Sequence, residues 1–353
     1  MINSIQNVYT EFWEESHWLP PGHNWSTMQN VGSERYPQCS DLKRPIYYAL
    51  ILLIIRAIFE WGLARPLGRF LGIKDTTSAL PNIFHRVFSR VRQFSTRNST
   101  EVIANGHLIK SRRKFKIGLV PKSTLDKFSE CCWRFSFYLF IFVYGLCSLW
   151  SKDYFWDTRY CWFDYPQHVV TDDIYWYYMF ELMFYWSLIF SQFVDVQRKD
   201  FWVNFIHHIA TVLLMTFSWA SNMVRMGVLI LQAHDAADFW MEGAKMARYC
   251  KRTTLCNCLF AIFATVWFVT RCIYLPFWLL YSALIETVVY VGFYEAYYFI
   301  NSLLVLLQIL HVFWTIIIFK ILITALKSGE ADDARSDSED TDDECTLRNS
   351  KID

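Results

Sequence analysis

The sequence predicts an all-α polytopic transmembrane helix bundle of about seven spans. Of the 353 residues, 54% are hydrophobic and 19% are aromatic, which is more than soluble domains usually contain. Stretches of roughly 20 mostly apolar residues recur along the chain, and a helix of that length crosses the hydrocarbon core of a bilayer. The N-terminal sequence has no basic region followed by an apolar stretch, so we expect no cleavable signal peptide.

The predicted spans comprise one isolated first helix and a later group of six. They are residues 46–63, 133–150, 174–195, 203–220, 223–240, 255–275 and 299–324. An eighth apolar stretch, 276–292, follows Pro276 and contains Glu286 and two aromatic clusters. We predict a loop or a re-entrant segment there.

The distribution of charge predicts the orientation of the chain. From Leu63 to Cys132 there are 14 Lys and Arg residues against 4 Asp and Glu residues, and short cytosolic loops are rich in Lys and Arg. A basic loop, 64–127, is therefore expected in the cytosol, and the N-terminal segment 1–45 in the lumen. Seven spans return residues 327–353, with 4 basic and 10 acidic residues, to the cytosol as an acidic disordered tail.

Two kinds of modification are predicted from this orientation. Asn24 begins an N-x-S sequence on the lumenal side and is an acceptor for N-linked glycan. Ser336, Ser338 and Thr341 lie among acidic residues, as an acidophilic kinase requires. Asn98 has the same N-x-S/T pattern but falls in the cytosolic loop, so glycan on Asn98 would contradict the predicted topology.

Ionisable side chains inside two neighbouring spans indicate a functional site. His207 and His208 stand in an otherwise apolar run, and Asp235 lies as far after a turn near Ser221 as His207 lies before it. At about 1.5 Å per residue these groups share one depth, roughly 20 Å from the turn. His234 and Asp238, with Asp235, complete a predicted polar cluster because residues three and four apart share a helix face. Buried charge is expensive in a membrane, so a purely structural cluster is disfavoured.

Other readings of these residues remain open. A mononuclear metal site would also use His and Asp, but di-iron membrane enzymes need more histidines than the spans contain, and we predict no metal. A transporter or channel would use intramembrane charges as a pathway, and no convincing internal repeat supports that function. A histidine such as His311 can simply hydrogen bond across helices.

The segment that contains this cluster closely resembles the signature motif of the ceramide synthases, the longevity-assurance branch of the TLC-domain superfamily. It reads "FIHHIATVLLMTFSWASNMVRMGVLILQAHDAADFWMEGAKM", from Phe205 to Met246. The resemblance extends through "YWYYMFELMFYWSLIFSQFVDVQRKDF" upstream and "TRCIYLPFW" downstream. It implies that six spans form a TLC catalytic domain at 128–326. Residues 81–116 of the basic loop occupy the position of a homeobox-like segment but lack its Trp-Phe core, so we expect no nucleic-acid partner.

The resemblance implies an acyl-CoA-dependent sphingoid base N-acyltransferase in the endoplasmic reticulum membrane. His207 and His208 would divide acyl transfer and proton transfer, one of Asp235 and Asp238 would orient an imidazole, and the other would hold the substrate ammonium. Second-tier candidates for substrate binding or support are His234, Asn204, Glu181 and Arg225.

Partners and cofactors follow from the same resemblance. The partners would be fatty acyl-CoA, a long-chain sphingoid base and membrane lipids, with no cofactor besides acyl-CoA as co-substrate. A homo- or heterodimer with related synthases stays open. The alternative function is a non-catalytic TLC-type protein that binds lipid or assists at the translocon.

Overall fold

Seven long helices make up most of the residues that the structure describes. The structure, a computed structural model, describes residues 11–74, 123–193, 195 and 200–328, and within these ranges it contains helices and no strand. The helices are α1 (Cys39–Phe70), α2 (Thr124–Leu149), α3 (Asp172–Gln192), α4 (Phe201–Ala220), α5 (Val224–Tyr249), α6 (Thr253–Tyr290) and α7 (Glu295–Ser328). Short helical turns occur at Glu15–Trp18, Trp25–Met28, Asp153–Trp156 and Thr158–Cys161. The predicted all-α class is confirmed.

Five of these helices are long and apolar enough to cross a membrane: α1, α2, α4, α6 and α7. Helices α3 and α5 have 21 and 26 residues, so they are long enough but more polar. Helix α3 begins with Asp172 and Asp173, and α5 carries the His and Asp residues of the predicted site. The chain is a polytopic membrane protein, and the number of seven spans stays a prediction.

The prediction of a loop or re-entrant segment at 276–292 is wrong for most of its length. Helix α6 continues through Pro276 and ends at Tyr290. A proline lacks the backbone N–H and clashes with the carbonyl of the preceding turn. Here the widened π-helical stretch Phe268–Leu280 contains Pro276, and such a local change of pitch is a known way for a helix to accommodate a disruption.

The first predicted span is longer at both ends than the sequence indicated, and the loop predicted at 64–127 starts with helical residues. Helix α1 runs to Phe70, because a π-helical turn at Glu60–Ala64 leads into a further α-helical turn. This end packs closely on α2: a Cβ added to Gly68 would lie 2.6 Å from the Leu125 side chain. The homeobox-like segment, Asn98 and the three tail phosphorylation sites lie outside the described residues.

The turn between α4 and α5 is held by the segment that precedes α3. Asn222 adopts a left-handed conformation with φ +58°, and its Nδ2 donates to the carbonyls of Pro166 and His168 at 2.6 and 2.8 Å. The Tyr165 hydroxyl donates to the Ser221 carbonyl at 2.7 Å. Burial lowers the pKa of His168 to about 4, so this packed segment contains a neutral imidazole at physiological pH.

Asn24, the predicted glycan acceptor, is exposed at the start of the Trp25–Met28 turn. Its side-chain oxygen accepts a hydrogen bond from the Thr27 backbone N–H at 3.2 Å. Glycosylation of Asn24 stays a prediction.

Candidate functional site

The hairpin of α4 and α5 opens away from its turn. Helix α4 packs mainly on α3 and α7, whereas α5 packs mainly on α2 and α6. The expected turn near Ser221 is present, but the two helices do not stay in contact along their length. Residues at one depth on these helices therefore need not touch, which alters the predicted cluster.

Four imidazole rings form a row across three helices. His208 and His207 lie on α4 with ring centroids 5.7 Å apart, and the His207 centroid lies 6.4 Å from that of His311 on α7. His311 and His234 of α5 follow at 4.9 Å. Trp314 stands edge-on to His207 at 5.3 Å. His311, which the sequence suggested as a simple cross-helix contact, thus joins the two sides of the site.

Hydrogen bonds determine which nitrogen carries the proton in two of these rings. His234 Nδ1 lies 2.6 Å from the Ile230 carbonyl oxygen, which can only accept, so Nδ1 carries the proton. In the neutral ring His234 Nε2 is then an acceptor, and His311 Nε2–H donates to it at 3.1 Å. His311 Nδ1 is left with a lone pair, buried and without a hydrogen-bond partner in the described chain.

The two aspartates make contacts other than those expected. Asp235 accepts a hydrogen bond from the Tyr177 hydroxyl at 3.0 Å, and Asp238 pairs with Arg271 at 3.3 Å. Within the described ranges neither carboxylate hydrogen bonds to His207 or His208. The expectation that one aspartate orients one of these rings is therefore corrected: the opening of the α4–α5 hairpin separates them.

Arg271 of α6 is a site residue that sequence reasoning missed. It is 3% exposed, and besides Asp238 it donates to the carbonyls of Ala233 and His234 at 3.1 and 2.7 Å. Its guanidinium lies 4.6 Å above the Trp267 ring. A signal was available, because an arginine inside an apolar membrane-length segment indicates a buried partner.

The other second-tier candidates, Glu181, Asn204 and Arg225, lie in three different environments. Glu181 is fully buried beside Asp235, yet neither of its oxygens has hydrogen-bond geometry with a described group. Asn204 is half-buried on α4, one turn from His208. Arg225 lies at the start of α5, nine residues before His234, where it donates to the Tyr160 carbonyl at 2.6 Å and covers the Tyr154 ring. Arg225 holds the loop before α3 and does not reach the imidazoles.

A largely apolar cavity, with about 640 Å³ of empty space when its open side is included, extends from the His234 imidazole into the bundle. His234 forms part of its wall, and the cavity follows α5 back to Met223, about 16 Å at 1.5 Å per residue. Its walls come from α3, α4, α5, α6 and α7, including Tyr185, Met215, Gly227, Ala283 and Leu304. A smaller cavity of about 260 Å³ shares His234 and Leu304 with it and also contacts Gln308.

The arrangement does not have the geometry of a metal centre. Over the ranges that the structure describes, no three His, Cys, Asp or Glu side chains are placed to hold one metal ion. One reason is the hydrogen bond between His234 Nε2 and His311 Nε2. A proton lies between these two nitrogens, so they do not both present a lone pair to a metal ion.

Known proteins resemble this chain along nearly its whole length. The family model described as TLC domain matches residues 127–320. Human ceramide synthase 5 is 39% identical over 342 residues, covering 94% of this chain and 87% of that protein. Human ceramide synthase 3 is 39% identical over 343 residues (93% and 88%), and ceramide synthase hyl-1 of Caenorhabditis elegans is 35% identical over 339 residues (93% and 84%).

Proposed function

The chain belongs to the ceramide synthases of the TLC-domain family, and from this premise we propose that it transfers a fatty acyl group from acyl-CoA to the amine of a long-chain sphingoid base. The observation that carries the proposal is the row of four imidazoles, which ends at His234 in the wall of an apolar cavity. Imidazoles supply proton acceptors or nucleophiles, and the cavity supplies a dry place for a lipid chain.

The chemistry requires that two protons leave the nitrogen. A sphingoid ammonium gives one proton to an imidazole, which later releases it to solvent. As the C–N bond forms and the C–S bond breaks, the second proton ends on the CoA thiol. In the direct route the amine attacks the bound thioester. In the covalent route an imidazole nitrogen first displaces CoA and carries the acyl group, and the amine then attacks the acyl-imidazole.

We assign His207 and His208 to acyl transfer and proton transfer, and give the aspartates a supporting role. Asp238 fixes Arg271 against the part of α5 that carries His234. Asp235 of α5, which accepts a hydrogen bond from the Tyr177 hydroxyl of α3, would attract the substrate ammonium ion when its carboxylate is ionised. No cofactor is needed in this scheme, since acyl-CoA brings the activated acyl group.

The cellular setting is part of the proposal. Residence in the endoplasmic reticulum membrane is inferred from the family alone. A lumenal N-terminus and a cytosolic C-terminus agree with the bias of Lys and Arg toward the connections that face the CoA pool. The charged CoA stays in the cytosol while both lipid chains enter the bundle from the bilayer.

The test is N-acylation by membranes that contain the protein, with a labelled sphingoid base and a series of acyl-CoAs of different length. We expect a ceramide product whose yield depends on acyl-CoA and on acyl-chain length. Membranes from the same cells without the protein are the control. A folded protein that binds both lipids but forms no amide would instead favour the non-catalytic lipid-binding function.

Filling the cavity will change the preference for acyl-chain length. Leu304 lies seven residues before His311 on α7, about 10 Å from the imidazole row, and its side chain lines the cavity. In Leu304→Trp we expect kcat/KM for the longest accepted acyl-CoA to fall roughly tenfold or more relative to shorter ones, because extra methylenes no longer fit. The matched control is Val305→Trp, since Val305 is 41% exposed on the outer face. Identical chain-length profiles for the two variants would show that the acyl chain lies elsewhere.

A further inference from the structure

Gln192 connects the end of α3 to the paired histidines. Its Nε2 lies 3.1 Å from the Phe201 carbonyl oxygen at the start of α4, and its Oε1 lies 2.9 Å from His208 Nδ1. The exposed fractions are 7% for Gln192 and 8% for His208. A buried amide with both ends engaged has one orientation, and here that orientation acts on a proposed catalytic ring.

The carbonyl of Phe201 settles the direction of both hydrogen bonds. A carbonyl oxygen can only accept, so the amide NH₂ of Gln192 must face Phe201. The amide oxygen then faces His208 Nδ1, which must carry a proton to donate to it. The neutral His208 ring consequently keeps its lone pair on Nε2.

The adjacent ring lacks such a constraint. His207 Nδ1 is buried without a hydrogen-bond partner among the described residues, and the ring packs against the rings of His208, His311 and Trp314. The two histidines therefore differ: the tautomer of His208 is determined by a neighbour and that of His207 is not.

We propose that Gln192 is a positioning residue that holds His208 in the Nδ1–H tautomer, so that His208 Nε2 accepts the proton in acyl transfer. The inference rests on the proposed function and extends it to a residue outside the histidine and aspartate cluster. An amide suits this task better than a carboxylate. It orients the ring as the aspartate of a hydrolase triad does, but it adds no charge that would keep the proton on the imidazole.

The end of α3 is anchored well enough to serve this purpose. Ser191 donates to Asp195 at 2.9 Å, and Asp195 is bound by Arg56 of α1 and Arg134 of α2. Gln192 therefore lies between two anchored points. On one side are the ionic contacts of Asp195 with Arg56 and Arg134, and on the other is its own hydrogen bond to Phe201 at the start of α4. The titratable and charged groups nearest to His208 are His207 on α4, Tyr185 on α3, Arg134 on α2 and Asp195 after α3.

The first readout is the tautomer itself and needs no catalysis. The protein, labelled with ¹⁵N-histidine and placed in lipid nanodiscs, is compared by NMR with its His208→Ala variant to assign the His208 signals. We expect a protonated Nδ1 and a bare Nε2 in the wild type, and loss of this pattern in Gln192→Met, which is of similar size but has neither donor nor amide oxygen. Ser187→Ala is the control, because Ser187 is also buried on α3 but its hydroxyl donates to the Phe184 carbonyl of its own helix.

The second readout is kinetic. Gln192→Met should lower kcat about 10²-fold, the scale of a misplaced general base, with little change in KM for acyl-CoA. Gln192→Glu should move the acid limb of the kcat–pH profile to higher pH, because a carboxylate stabilises the protonated imidazole and only the neutral ring accepts a proton. A merely structural glutamine would change abundance or thermal stability and leave the pH profile in place.

Two results would overturn the inference: a His208 ring that carries its proton on Nε2 in the wild type, or an unchanged His208 pattern in Gln192→Met. If the tautomer is as expected but the wild-type protein forms no ceramide, the proposed function fails and the proton-acceptor role fails with it. The hydrogen bond from His208 to Gln192 would then stand as a structural feature alone.

Discussion

Replacing both His207 and His208 with alanine will abolish amide formation. These rings lie next to each other on α4, and in either mechanism they supply the proton acceptor and the candidate acyl carrier. Loss of a general base alone removes about 10²–10⁴-fold in rate, so we expect the double variant to fall at least about 10³-fold, to background. The measurement is ceramide formation by membranes with matched protein abundance.

A control variant and two single variants are needed to interpret this result. His23→Ala removes a histidine from the N-terminal segment, outside the bundle, and should retain activity. His207→Ala and His208→Ala measured separately report whether one ring can serve without the other. Mass spectrometry after exposure to acyl-CoA alone would reveal an acyl adduct in the covalent route. Equal activity of the double variant and the wild type would remove both histidines from the mechanism.

Arg56→Leu will strongly destabilise the bundle. Arg56 is 5% exposed and donates to Asp195 through Nη1 and Nη2 at 3.0 and 2.8 Å, while its Nε donates to Glu60 at 2.6 Å. Removing one partner of a buried ionic contact leaves uncompensated charge and typically costs about 3–5 kcal/mol. We expect a clear fall in the midpoint of thermal unfolding in detergent, followed by loss of activity, since Asp195 adjoins the end of α3 that carries Gln192.

Arg44→Leu on the same helix is the matched control. The Arg44 side chain is 59% exposed, and it contacts Asp41 at 3.3 Å and the Tyr175 hydroxyl at 2.8 Å. Because its own charge is already solvated, its replacement should lower the unfolding midpoint much less than that of Arg56. If Arg56→Leu and Arg44→Leu unfold together with the wild type, the buried contacts of α1 do not stabilise the bundle. Helix α1 would then be a separable membrane anchor.

Much of the fold could be predicted because its signals are local. A membrane helix satisfies its own backbone groups, so the length of an apolar stretch is enough to locate it. The prediction failed at Pro276, because the π-helical pitch that accommodates a proline depends on neighbouring helices and leaves no mark in composition. It also ended α1 too early, because Gly68 allows a close approach to Leu125 that only the packed pair reveals.

The residues of the site could be predicted from the sequence better than the contacts between them. Intramembrane charge is costly wherever it occurs, and that rule selects His207, His208 and Asp235 without any structure. The same rule would have selected Arg271 in "TRCIYLPFW". The rule does not select Gln192, because burying a neutral amide at the end of a span costs much less free energy than burying a charge. Such an amide also has no sequence signature.

The sequence by itself determined that this chain is a membrane helix bundle and which ionisable side chains need partners inside it. Tertiary structure decided which residues those partners are: Gln192 for His208, Arg271 for Asp238, and His311 for His234. The last two residues are 77 positions apart in the chain. The physical reason is that depth along a helix follows from counting residues, whereas contact between helices depends on how they diverge. Helices α4 and α5 leave a common turn and then pack on different neighbours, so equal depth did not bring the aspartates to the paired imidazoles.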